Sequence, residues 1–130
     1  MAINFFDIPR LNLGYRQGRT ADYDEVENRP TQTEITVQAQ RCMNCGIPFC
    51  HGAGCPLGNH IPDFNAAVRE GRFRDAYYIL AQTSPFPEFT SRICPALCEA
   101  SCTAGLPSDP VAVRQIEYEI IENAYKRGYV

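Results

Sequence analysis

The chain has 130 residues, 45% of them hydrophobic, enough for one domain with a modest core. A net charge of -3, scattered arginines and a single lysine, Lys126, exclude the basic track that nucleic-acid phosphates require. There is no run of 18 apolar residues, and Met1-Ala-Ile-Asn-Phe-Phe-Asp7 has neither the basic start nor the long apolar stretch of a secretory leader, so no membrane partner is expected and the chain reads as cytoplasmic.

Residues 1–30 mix Phe5, Phe6, Tyr15 and Tyr23 with glycines and charges in no clear period, which predicts an extended arm that packs through its aromatics. Residues 31–130 form the domain proper. Thr31-Gln-Thr-Glu34 has the form of a capping box, and Ile35, Ala39 and Arg41 continue a helix of about ten residues into Cys42. Gly46, Gly52, Gly54 and Gly58, with Pro48 and Pro56, then predict a loop able to turn several sulfurs and backbone amides toward one point. Pro62 suits a first helical turn, and Ile61, Phe64, Ala67 and Val68 share one face before Gly71 ends that helix. Phe73, Ala76, Tyr77 and Leu80 repeat the pattern in a second helix, where they read as core.

Ser84-Pro-Phe-Pro-Glu-Phe-Thr90 holds two prolines and is expected to be a connecting loop. From Ile93 to Cys102 the recurrence of Cys94, Cys98 and Cys102 every four residues predicts a short helical stretch with the three thiols on one face. Gly105, Pro107 and Pro110 mark a break, and a final helix of about seventeen residues runs from Pro110 to Arg127, with Lys126 and Arg127 at its negative end. No strand pattern occurs, so the expected fold is small and all-α.

The chemistry lies in the seven cysteines. Their odd number and a reducing compartment argue against disulfides, and a catalytic thiol would need one cysteine with a separate base rather than clumped sulfurs. Zinc sites usually pair two C-x2-C units, or one with two histidines; this chain has one C-x2-C, and His51 and His60 read as capping or surface residues. The order C-x2-C-x4-C-x4-C-P, then C-x3-C-x3-C, looks like a stretched form of the cysteine run of two-cluster ferredoxins. Two [4Fe-4S] cubes need eight ligands. Seven sulfurs therefore leave one cube with spare thiols, one [4Fe-4S] with one [3Fe-4S], or two cubes with an eighth ligand of another kind.

The last helix bears on that choice. At 100° per residue Val113, Ile116, Ile120, Ile121 and Ala124 form an apolar stripe with Glu117 in its middle, whereas Gln115, Glu119 and Glu122 fall on the opposite side. A carboxylate on a core face must be compensated, either by iron or by an arginine such as Arg41 or Arg92.

At Arg41-Cys-Met-Asn-Cys-Gly-Ile-Pro-Phe-Cys-His51, Gly54-Cys-Pro-Leu-Gly-Asn59, Phe86-Pro-Glu-Phe-Thr90, Ile93-Cys-Pro-Ala-Leu-Cys-Glu99 and Gln115-Ile-Glu-Tyr118, the chain resembles the N-terminal iron-sulfur domain of the glutamate synthase small (beta) subunit. The same module is similar to the first domain of dihydropyrimidine dehydrogenase and to that of NADH-dependent ferredoxin:NADP oxidoreductase. The resemblance covers residues 31–127 most strongly and residues 1–30 loosely. It implies an α-helical ferredoxin-like fold around two [4Fe-4S] clusters. By this resemblance Cys42, Cys45, Cys50 and Cys102 hold one cluster, and Cys55, Cys94, Cys98 and Glu117 hold the other; the dehydrogenase has a ligating glutamine at the position of Glu117.

In the family this module precedes FAD- and NADPH-binding domains opened by a GxGxxG fingerprint, which this chain lacks. The chain is thus expected to be part of a longer protein or a stand-alone relative, an oxidoreductase component that is not catalytic alone. The implied function is electron transfer between a flavin on a partner domain or subunit and an electron-accepting large subunit. Seven thiolates and two cores of about +2 each would take the net charge to roughly -6, which suits a partner surface carrying arginines. The competing expectation is a structural or regulatory binding domain stapled by zinc or one cluster, without redox traffic.

Overall fold

The computed structural model describes Arg10, residues 31–106 and residues 109–129, and the expected aromatic arm over residues 1–30 lies, Arg10 apart, outside them. Among the described residues six α-helices follow in order: α1 Gln32–Ala39, α2 Ile61–Arg69, α3 Phe73–Ala81, α4 Pro87–Ile93, α5 Leu97–Ala100 and α6 Val113–Arg127. A π-helical turn at Cys50–Gly54 and a 3-10 turn at Thr103–Gly105 lie between them. No strand occurs among the described residues, so the all-α expectation holds.

α1 starts with the capping box read from its sequence: the Glu34 amide donates to Thr31 Oγ1 at 3.2 Å, and the Thr31 amide donates to Glu34 Oε1 at 3.4 Å. It tightens as it ends, with the Arg41 and Cys42 amides reaching back three residues to Gln38 and Ala39. Arg41 follows, 1% exposed, and donates to the carbonyls of Asp109 and Pro110 at 2.8 and 2.9 Å. The end of α1 is thereby tied to the segment that enters α6.

α2 and α3 pack together, with Phe64, Ala67, Val68, Phe73, Ala76 and Leu80 all buried. Gly71 takes the left-handed conformation, φ 78°, in the tight turn between them. α6 is the base of the domain: it contacts α1, α2, α3 and α4 and buries Val113, Ile116, Ile120, Ile121 and Ala124. Gly128 closes it with basic residues in the last turn, as the sequence predicts.

Three local expectations need correction. Pro87 does not end structure; it occupies the first turn of α4, where a missing amide hydrogen costs nothing, so residues 87–90 are helical rather than loop. Cys94, Cys98 and Cys102 do not share one helix. Pro95 drives Cys94 into extended backbone, ψ 133°, Ala96 turns left-handed, and only Leu97–Ala100 is helical. Finally, α6 starts at Val113 rather than Pro110, after irregular residues that receive the Arg41 bonds.

Candidate metal centre

The loop after α1 and the segment around α5 bring the two cysteine groups together. The Cys55 amide bonds the Cys50 carbonyl at 2.8 Å, five residues back, closing the π-helical turn that carries Cys50. This turn packs directly on α5. A Cβ on Gly54 would stand 2.7 Å from both the Leu97 carbonyl and Ser101 Oγ, and 2.9 Å from Cys98 Cα. Only glycine permits that approach.

Cys42, Cys45, Cys50 and Cys102 line one hollow with Ile61, Asn65, Val111 and Val113. Burial, opposed by the His51 amide and reinforced by charge on Cys42 and Cys102, pushes the Cys50 thiol up to about 11. Burial raises the Cys42 thiol too, opposed by the Asn44 amide and the Asn65 side chain and reinforced by Cys102 and Cys45. Cys45 Sγ lies 3.4 Å from Thr103 Oγ1.

A second gathering surrounds Cys98. Burial pushes its thiol well above the ordinary range, and the charges of Glu117, Glu99, Cys55 and Cys94 add to that. Glu117 is 7% exposed in the apolar face of α6. It accepts from Asn59 Nδ2 at 3.3 Å, while Asn59 Oδ1 accepts from Thr83 Oγ1 at 2.6 Å. Burial raises the Glu117 carboxyl to about 7, with Asn59 and Arg114 opposing and Glu99 reinforcing the shift.

The arginines proposed as its alternative partners are engaged elsewhere. Arg41 holds the Asp109 and Pro110 carbonyls; Arg92 bonds the Glu88 carbonyl, pairs with Glu122 at 3.0 Å and lies over the Tyr118 ring. Glu119, expected on the opposite angular side of α6, is nevertheless only 8% exposed.

Asn44 and Ala96 are the described non-glycine residues with positive φ, 52° and 59°. Each stands two positions after a cysteine: the Ala96 amide donates to Cys94 Sγ at 3.3 Å, and the Asn44 amide favours negative charge on Cys42. For alanine that conformation costs about 1–2 kcal/mol, and strain of this kind collects at functional sites. Sequence reasoning missed both turns, although Cys-Pro at 94–95 forbids helix there. It also missed Asn59 and Asn65; the latter was detectable as the polar residue between Phe64 and Val68 on the inner face of α2.

All seven cysteines are free of disulfides. Among the described residues, no three cysteine, histidine or acidic groups converge on one point as a single metal ion requires. Residues 19–129 match the family described as dihydropyrimidine dehydrogenase domain II, 4Fe-4S cluster.

The chain belongs to this 4Fe-4S domain family.

Its relatives include the Glutamate synthase [NADPH] small chain of Mycobacterium tuberculosis, 52% identical over 112 residues, which are 86% of this chain and 23% of the relative. The Glutamate synthase [NADH] of Saccharomyces cerevisiae is 44% identical over 113 residues, 86% of this chain and 5% of the relative. The small chain of Escherichia coli is 34% identical over 129 residues, 96% of this chain and 27% of the relative. The 4Fe-4S domain thus spans about a quarter or less of the curated relatives it matches.

The residues present fit an iron-sulfur cluster. Free thiols surround a hollow, backbone amides are turned to sulfur, and burial makes thiolate charge costly unless a cation core offsets it. Among the described residues no helix is long and apolar enough to cross a membrane.

Two outcomes follow from this geometry. Gly54→Ala should separate the π-helical turn from α5 and lower iron incorporation by half or more, measured as iron per chain after anaerobic reconstitution. Full loading would show that the close approach is dispensable. In protein stripped of metal, the folded Glu117 carboxyl titrates near 7, above its ordinary 4.5, so the folded state holds that proton more tightly. Its contribution is complete below about pH 4.5 and is lost as pH rises through 7, amounting to about 3 kcal/mol. Urea unfolding of the stripped chain should show that loss between pH 5 and 8, and Glu117→Gln should flatten it.

Proposed function

We propose that this domain is the electron-transfer module of a glutamate synthase-type, NADPH-dependent oxidoreductase and binds two [4Fe-4S] clusters. Cys42, Cys45, Cys50 and Cys102 hold the first; Cys55, Cys94, Cys98 and Glu117 hold the second. The observation that carries the reading is the separation of the thiols into two neighbourhoods, one around the hollow beside Asn65 and one around Cys98 with Glu117 as its acid.

Each bound cluster supplies a one-electron couple. The chain holds the centres, excludes water and sets their potentials. Buried Ile61, Val111 and Val113 dry the first site, while the Asn44 and Ala96 amides stabilise sulfur charge. Asn59, steadied by Thr83, orients the Glu117 carboxylate from the side chain's far end. A carboxylate in place of a thiolate makes the second site harder and gives its cluster a different potential from the first.

Held by those residues, the two centres would relay electrons between a flavin reduced by NADPH on a partner domain or subunit and a synthase-type large subunit. The names of the relatives and the share of their length that this domain covers support that setting. Free cysteines throughout suit the reducing cytoplasm.

Glu117→Ala is expected to lose or convert one cluster while the other persists. Iron should fall toward half, and one EPR signal of the reduced protein should survive unaltered. Unchanged iron content together with an unchanged EPR spectrum would remove Glu117 from the ligand set. A colourless, zinc-loaded wild type would instead support a structural staple.

A further inference from the structure

α2 buries Asn65 as fully as its apolar neighbours, at 1% exposure, between Phe64 and Val68. Neither its amide nitrogen nor its oxygen has a partner at full hydrogen-bond geometry. A buried, unpaired amide is costly and rare in folded proteins, so its place needs a reason. Asn65 lines the hollow bounded by Cys42, Cys45, Cys50 and Cys102, and its side chain faces the Cys42 sulfur. The wall beside it is apolar, formed by Ile61, Pro62, Val111 and Val113. Sulfur is therefore the acceptor chemistry this amide meets.

We infer that Asn65 is a positioning residue of the first centre, donating from Nδ2 to a sulfur of the cluster held by Cys42, Cys45, Cys50 and Cys102 and thereby setting its potential. The inference rests on the cluster assignment proposed above. Adding one electron makes the cluster more negative, and a hydrogen-bond donor inside a low-dielectric pocket stabilises that form more than the oxidised one. Asn65 consequently raises the midpoint of this cluster. Leucine keeps the same branched heavy-atom framework without a donor. Aspartate would keep the shape and replace the donor with an acceptor.

The test is an EPR-monitored redox titration of anaerobically loaded wild type, Asn65→Leu and Asn65→Asp, with Cys102→Ser identifying the signal of the first cluster. At a fixed potential near the wild-type midpoint, Asn65→Leu should lower the reduced-to-oxidised ratio of that cluster about tenfold, equivalent to about 59 mV for one electron. Asn65→Asp should lower it further, and the second cluster should titrate as in wild type. A loaded leucine variant within twofold of wild type, or an equal shift of both clusters, overturns the inference while leaving the cluster assignment intact.

If neither variant takes up iron, wild type labelled with 15N at the asparagine side-chain amides decides the matter by pulsed EPR. A 15N coupling on the Cys102-sensitive signal supports the hydrogen bond, and its absence overturns it. Should wild type bind no iron, or Cys102→Ser leave every signal unchanged, the assignment itself fails and the inference with it.

Discussion

Much of this domain depends on one backbone approach. The π-helical turn at Cys50–Gly54 lies against α5 closely enough that a single added carbon on Gly54 would meet Leu97, Cys98 and Ser101 at 2.7 to 2.9 Å. That contact joins two parts of the chain that are far apart in sequence, one bearing Cys50 and Cys55, the other Cys98 and Cys102. The helices set the rest of the frame. Arg41 secures the end of α1 to the entry of α6, and α6 carries the buried Glu117.

Electrostatics give the frame its purpose. Without metal the partly buried thiols, with raised pKa values, and a carboxyl moved to about 7 tend to hold their protons, because each anion would stand in a dry environment beside others of its sign. A multivalent cation core reverses the balance, turning mutual repulsion into ligation. The left-handed turns at Asn44 and Ala96 serve the same end, because conformational strain there directs amide dipoles at sulfur. Family membership and the reading of the site therefore agree on a 4Fe-4S domain that carries electrons. The two-cluster ligand set is the part that rests on our proposal.

Much of this was legible in the sequence. The capping box at Thr31 and the apolar spacing of α2, α3 and α6 depend on local rules, and apart from the start of α6 each helix formed where those rules pointed. Glu117 was legible for the same reason, since an acid in the middle of an apolar stripe stands out. The failures also share a cause. A fourfold cysteine spacing imitates a helix, but Pro95 overrides it through its effect on Cys94; proline in Phe86-Pro-Glu imitates a break, but a first helical turn accepts it. Asn59 and Thr83 act through tertiary proximity, which no short window of sequence records. The role of Gly54 was likewise hidden among the other loop glycines until its neighbours across the fold were known.

The most direct measurement is the iron and sulfide content of the anaerobically purified chain, read together with EPR of its reduced form. Two [4Fe-4S] clusters predict about eight iron and eight sulfide per chain and two interacting paramagnets on full reduction. About four of each with a single isolated signal, or zinc in place of iron, would contradict the two-cluster account.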